Sequence, residues 1–255
     1  SNENPFGPSK LAVTAMKGEL VNINRYSNDL TTAFGEKVAA MEGVSPDQVI
    51  VTNGSTPILA LFAEWAAEQD GKLLTSAATY EAVPRVAERY GAEVIYTPLS
   101  ADMGYDLDAM AARMGPDIAT VYICNPNNPT GTMVGEGKNV IVCRTFSKLY
   151  AMAGQRLGYA IAPADLVTTM RRSGHLSSVN HLGLVAGMAS LDDTAFFDEM
   201  RLKTQKGRAK LVAMATDLGR PIAPNPQGSF IFMDVGMDHK AFAEAMLARN
   251  VRVVG

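Results

Sequence analysis

The sequence predicts an α/β protein: a three-layer, mainly parallel sheet between helices, followed by a smaller α/β domain. Three observations carry this. Short apolar runs alternate with helix-period segments along most of the chain. Runs such as Val49-Ile50-Val51-Thr52 and 118–124 are continuously apolar, as in strands buried on both faces. From about Asp193 the pattern turns into one long helical stretch and then a short second unit. The boundaries are therefore an N-terminal arm at 1–27, a large domain at 28–192 and a small domain at 193–255.

The bulk properties set limits. A chain of 255 residues can bury a substantial core. Apolar residues at 47% and charged residues at 19% describe a soluble globular protein without disordered tracts. A net charge of −3 with no Lys/Arg cluster gives no electrostatic footprint for nucleic acid. No apolar run approaches the ~20 residues that span a bilayer. Cys124 and Cys143 lie in apolar runs without CxxC spacing, so both read as buried reduced thiols. No signal peptide is visible, although the chain begins Ser1-Asn2 without Met, so the cytoplasm is the default location.

In order, Val49-Ile50-Val51-Thr52 reads as a strand leading into Asn53-Gly54-Ser55-Thr56-Pro57. The helix that follows puts Ile58, Leu61, Phe62 and Trp65 on one face, with Pro57 suited to its first position. Leu73-Leu74-Thr75 is a short strand. Helix 81–90 ends at Gly91, a left-handed cap. Val94-Ile95-Tyr96 is strand, 106–114 helix and 118–124 strand. Beyond Asp193, 196–218 is a long helix stopped by Gly219 and Pro221, Phe230-Ile231-Phe232-Met233 a strand and 239–249 a helix.

One interval breaks the pattern. The strands ending at Cys124 and starting at Val140 are separated only by 125–139, rich in Gly, Pro and Asn. Neighbouring parallel strands need a crossover of a dozen or more residues, usually helical. Either a segment is absent near Val134-Gly135, or the second strand is antiparallel or non-adjacent.

The chemistry centres on Lys148 in Arg144-Thr145-Phe146-Ser147-Lys148, with Arg156 eight positions on. A strand ending in two hydroxyls and a lysine, with an arginine one loop later, offers an amine nucleophile beside an anion site. Asn53-Gly54-Ser55-Thr56 joins a strand to a helix N-terminus, where free N–H groups and the helix dipole favour an anion. Alone, that tetrapeptide reads first as a plain turn and cap. Asn125-Pro126-Asn127-Asn128-Pro129-Thr130-Gly131 follows a strand's C-terminal end, where open α/β sheets place ligands. Asn128 can donate to a phenolate oxygen, and Tyr80 can stack on a flat ring or simply join the core. His175, His181 and His239 lack metal-ligand spacing and read as structural, so no metal site is expected.

Together these motifs resemble fold-type I pyridoxal-phosphate aminotransferases, and most of all the histidinol-phosphate aminotransferase family. The resemblance spans the chain: Asn2-Glu3-Asn4-Pro5-Phe6-Gly7, Arg25-Tyr26, Asn53-Gly54-Ser55, Thr79-Tyr80, 125–131, Thr145-Phe146-Ser147-Lys148 and Arg156-Leu157-Gly158-Tyr159. It implies pyridoxal 5'-phosphate held as a Schiff base on Lys148. Gly54, Ser55, Thr56, Thr145, Ser147 and Arg156 would grip the phosphate. Asn128 would bond the ring hydroxyl oxygen and Tyr80 would stack on the ring. Tyr26 would reach the phosphate of the partner subunit, which implies a homodimer with shared sites, and Asn4 would lie over the substrate. Amino groups would pass between histidinol phosphate or an aromatic amino acid and 2-oxoglutarate. Arg25 and Arg171 are candidates for a substrate phosphate, or are surface ion pairs.

Two features of the family are missing. An Asp that pairs with the pyridine nitrogen, and a Tyr beside the ring hydroxyl, belong between Asn128 and Lys148; neither is there. Without that Asp a buried pyridine nitrogen loses the anion that keeps it protonated. The family also continues past Gly255 to a carboxylate-binding arginine. A decarboxylase or lyase on the same fold, or a catalytically impaired cofactor-binding protein, is the alternative reading.

Overall fold

The structure is a computed structural model and describes residues 3–69, 71–134, 141–172, 176 and 178–253. Val140, where the sequence places the start of a strand, and His175 lie outside them, as does Asn2.

Helix α1 (Lys10–Glu19) packs on α7 (His181–Asp192), so the N-terminal arm is anchored rather than loose. Ser9 caps α1 by accepting from the amides of Leu11 and Ala12, and donates its hydroxyl to Asp193 Oδ2 at 2.5 Å. Asp193 in turn accepts from Phe196 N at the start of α8 (Thr194–Asp217). One side-chain pair thus closes two helix ends. Helix α2 (Asn28–Glu42) stops at Gly43, whose φ of 69° suits a residue without a Cβ.

Strand β1 (Val49–Thr52) enters α3 (Ser55–Ala67). Gly54 is the cap residue, so Pro57 stands at the third helical position instead of the first; its missing N–H would be unpaired at either place. Next come β2 (Lys72–Ser76), α4 (Ala82–Arg89), β3 (Val94–Thr97), α5 (Leu107–Arg113) and β4 (Ile118–Val121). Gly91 follows α4 at φ 89°, as expected. Strand β4 is shorter than 118–124, because only Ile118, Thr120 and Val121 have ladder partners on β2. Then β5 (Val142–Thr145), β6 (Gly158–Ile161) and α6 (Ala164–Arg172) lead to α7 and α8. Phe230-Ile231-Phe232-Met233 is not a strand: Met233 makes a single bridge to Ile222, and one bridge is no ladder. Helix α9 (His239–Leu247) closes the described chain. None of these helices is long and apolar enough to cross a membrane.

The described strands form two three-stranded sheets. Order β3-β2-β4 is parallel throughout; in order β1-β6-β5 the middle strand runs against both neighbours. Strands β4 and β5 are therefore non-adjacent. The ring of Phe146, 1% exposed at the end of β5, stacks on Tyr150 at 4.5 Å and tilts on Phe34 at 5.7 Å. Phe146 and Tyr150 of this cluster flank Lys148 in the chain.

Candidate active site

Register builds the first half of the site. Gly158, the first residue of β6, pairs with Thr52 at the end of β1 and with Thr145 at the end of β5. Because β6 is antiparallel, its beginning meets the ends of both neighbours. Gly54, Ser147 and Arg156 are each within two residues of that row. A Cβ on Gly158 would stand 2.6 Å from Ser55 N and 2.9 Å from Arg144 O, so the close approach of α3 requires glycine here.

The row forms an anion cradle. Gly54 has φ 86° and no side chain to cap α3, leaving the first-turn N–H groups open. Arg156 donates to Ser147 Oγ at 3.3 Å and to Ala153 O at 2.9 Å, which swings its guanidinium over Gly54. Thr145 Oγ1 accepts from Ser147 N at 3.1 Å. Asn53 is fixed behind this turn, donating to Ser178 O and accepting from Asn180 N.

Lys148 itself is exposed, but the backbone that carries it is held: Phe146 N donates to Leu157 O and Ala151 N to Lys148 O, each at 3.0 Å. Asn4 Nδ2 donates to the carbonyl of the next residue, Leu149, at 3.1 Å. The N-terminal motif is thereby placed beside the lysine.

The second half stands on β2 and β4. Their C-terminal ends lead into Thr79-Tyr80 and into 125–131. Tyr80 is 36% exposed. The backbones of Asn128 and Tyr80 both face the Cys124 sulfur, and burial pushes that thiol above its ordinary pKa. Behind these loops Asn127 is fully buried, donating to Ala78 O at 2.8 Å and to Thr130 Oγ1 at 3.0 Å. Tyr105 joins the same network; nothing in the local spacing of the sequence marks it.

Other candidates go elsewhere. Tyr26 is 87% exposed and turned outward. Arg171 donates to Val49 O at 2.8 Å, at the start of β1 and so at the opposite end of the sheet, which removes it as a substrate-phosphate ligand. Arg25 is exposed in the turn after α1. His181 stands 3.2 Å from Glu19 and ties α7 to the end of α1, and His239 is 4.0 Å from Asp238 at the start of α9. Both cysteines are unbridged.

A lysine amine, an arginine and an open helix N-terminus gathered at one sheet end are what an enzyme with a phosphate-bearing aldehyde cofactor needs. Residues 1–134 and 132–255 match the family described as aminotransferase class I and II, and the chain belongs to that family. The histidinol-phosphate aminotransferase of Symbiobacterium thermophilum is 31% identical over 290 residues, covering 99% of this chain and 80% of the relative. That of Moorella thermoacetica is 30% identical, covering 99% and 76%. The crystal structure of histidinol-phosphate aminotransferase from Sinorhizobium meliloti in complex with pyridoxal-5'-phosphate superposes with a TM-score of 0.90 at 21% identity, covering 99% of this chain and 80% of that one. The chain is a fold-type I, pyridoxal-phosphate-dependent aminotransferase.

Proposed function

We propose that this aminotransferase anchors its cofactor on Lys148 and passes an amino group between histidinol phosphate or an aromatic amino acid and 2-oxoglutarate. The observation that carries the reading is the convergence of Lys148, Ser147, Arg156 and the open first turn of α3 at one sheet end. The phosphate end of the cofactor fits: Gly54 leaves room for the guanidinium, and Ser55, Thr56, Thr145 and Ser147 add hydroxyls. Asn128 would hold the ring hydroxyl oxygen, Tyr80 would cover the ring, and Asn4 would lie at the substrate side of Lys148.

When bound, the cofactor supplies an aldehyde carbon that takes an amine, and a ring that draws electrons from the substrate's α-carbon. Lys148 gives the covalent anchor. Freed from that anchor, its amine would be the acid and base of the site, taking and returning a proton at Nζ. Arg156 and the α3 turn would hold the phosphate and so fix the orientation of the cofactor.

The ring-nitrogen end is less complete. Residues 125–134 and 141–148 include no carboxylate, and Glu136 lies outside the described residues. A missing internal segment accounts for this. Strands β4 and β5 are each paired on one side only among the described residues. The alignment to the Symbiobacterium relative runs 290 residues against a chain of 255, and the family match breaks at 132–134. A strand inserted between β4 and β5 would join the two sheets into one. Sequencing the coding DNA across this interval tests it; an uninterrupted reading of 125–148 would reject it.

The shared-site homodimer is supported by Leu20, Val21 and Ile23, which expose apolar surface beside the outward Tyr26. Sedimentation should give twice the chain mass, and a monomer at micromolar concentration would count against it.

Borohydride reduction followed by peptide mapping tests the central assignment. A label on Lys148 is expected, lost in Lys148→Ala; an unlabelled peptide rejects the reading. A panel of amino donors at fixed 2-oxoglutarate identifies the substrate, and CO₂ release in place of amine loss would mark the decarboxylase alternative.

A further inference from the structure

We infer that Tyr105 is a positioning residue of the cofactor site, its hydroxyl locking the loop that carries Tyr80 to the loop that carries Asn128. The inference rests on the assignment of those two residues to the cofactor ring. Tyr105 comes from neither loop. It stands just before α5, bridged to Leu99, and its 7%-exposed ring packs with Leu74 and Met110 under the sheet.

Its oxygen meets three partners. Cys124 N donates to it at 2.8 Å, Thr79 Oγ1 is 2.7 Å away, and it reaches Asn127 Oδ1 at 3.2 Å. One assignment satisfies all of them: Cys124 N–H and the Thr79 hydroxyl donate to the two lone pairs, and the phenol proton goes to Asn127. Burial pushes the phenol above its ordinary pKa, so the proton stays in place at working pH.

The partners are the neighbours of the ring-contacting residues. Thr79 precedes Tyr80, and Asn127 precedes Asn128. Asn127 crosses back to Ala78 O, and the Cys124 sulfur faces both backbones. The Tyr105 hydroxyl thus makes three of the contacts that tie the two loops together. A tyrosine that served only the core would need none of these, since its ring already fills the space. Removing the oxygen leaves one amide, one hydroxyl and one amide oxygen without partners in a buried region. The loops then separate, and the spacing between the ring of Tyr80 and the amide of Asn128 is no longer fixed.

Tyr105→Phe in the full chain tests this, because phenylalanine keeps the ring packing. The variant should still accept the borohydride label on Lys148. Its affinity for pyridoxal phosphate should fall about tenfold, the equivalent of one hydrogen bond. The pH midpoint of its visible absorbance should shift, because Asn128 no longer meets the ring oxygen squarely. Thr79→Val should move that midpoint the same way, which serves if Tyr105→Phe folds poorly. Tyr96→Phe, which removes a hydroxyl bound to Glu88 on the surface, is the control and should move nothing. A labelled variant with wild-type affinity and midpoint overturns the inference alone. A wild-type chain that takes no label overturns the functional reading, and this inference with it.

Discussion

Arg156 lies over Gly54 so closely that a Cβ on the glycine would stand 2.6 Å from Nη2 and 3.2 Å from Cζ. The two residues share one volume, and only a residue without a side chain leaves it to the guanidinium.

Gly54→Ala should therefore act twice. The φ of 86° strains any L side chain, which costs on the order of 1 kcal/mol or more in stability. The added methyl also displaces the guanidinium from its bonds with Ser147 and Ala153. Charged hydrogen bonds of this kind are worth about 1.5–3 kcal/mol, so cofactor affinity should drop roughly ten- to a hundredfold. Thermal melting with and without pyridoxal phosphate separates the two effects. A variant that melts early yet binds normally would show that Arg156 does not grip the phosphate.

Residues adjacent in the chain made half of this site legible. Asn53-Gly54-Ser55-Thr56 and Thr145-Phe146-Ser147-Lys148 each carry a strand end and its chemistry in one string, so local spacing reveals them. Gly91 and Gly219 likewise stop their helices at positive φ, as the sequence implies. What stays hidden is set by register and by distance along the chain. That Gly158 sits opposite both Thr52 and Thr145 follows from an antiparallel pairing that no local pattern records. Tyr105 reaches Asn127 across 22 positions. Arg171 looked available because charge is visible in sequence, while its carbonyl partner on β1 is not. Phe230-Ile231-Phe232-Met233 has the composition of a strand, but its pairing with 221–223 stops at one bridge, Ile222 to Met233.

Cys143, on β5, should be nearly inert to thiol reagents in the native state. Burial pushes its thiol up to about 12. At pH 8 its thiolate fraction is then on the order of a thousandfold below that of an ordinary thiol near 8.5. Because the folded pKa is raised, the stability it contributes is complete below the unfolded pKa. That stability fades as pH rises from there toward 12. Labelling rates at pH 8, native against urea-unfolded, check this by peptide mapping. Fast native labelling of Cys143 would mean that the strand is more open than its packing indicates.

Tyr159 on β6 donates to Glu42 Oε1 at 2.6 Å, and the same oxygen receives Arg144 Nε at 3.2 Å. Tyr159→Phe should cost about 1.5 kcal/mol, the low end for a bond to a charged group, because Arg144 still pairs the carboxylate. Burial first, and then Glu42, raise the tyrosine's pKa. The bond's contribution is therefore present below about pH 10 and disappears as pH climbs through the folded value. Denaturant titrations from pH 7 to 11 should show the wild type and the variant converging at the alkaline end. Parallel curves would mean the phenol is not the titrating group.

Gly187, inside α7, sets two opposing effects against each other. Alanine is the better helix former by about 1 kcal/mol, so propensity alone would make Gly187→Ala stabilising. Packing opposes it. A Cβ there would stand 2.3 Å from Leu157 Cδ2 and 2.8 Å from Phe34 Cε2. Both side chains are completely buried and cannot swing toward solvent. Forcing a methyl into such a contact costs about 1–3 kcal/mol, which exceeds the helical gain at all but the lowest value. The displacement also has a direction. Leu157 precedes Gly158 and follows Arg156, and Phe34 packs on Phe146, so the strain reaches both arms of the candidate anion site. Gly187→Ala should therefore lower the melting temperature and weaken pyridoxal phosphate binding together, while Gly207→Ala, on open helix surface with no neighbour within 4 Å, should raise stability slightly. A Gly187→Ala variant as stable as the Gly207 one would show that α7 can move away from Leu157, and that the cradle does not rest on their contact.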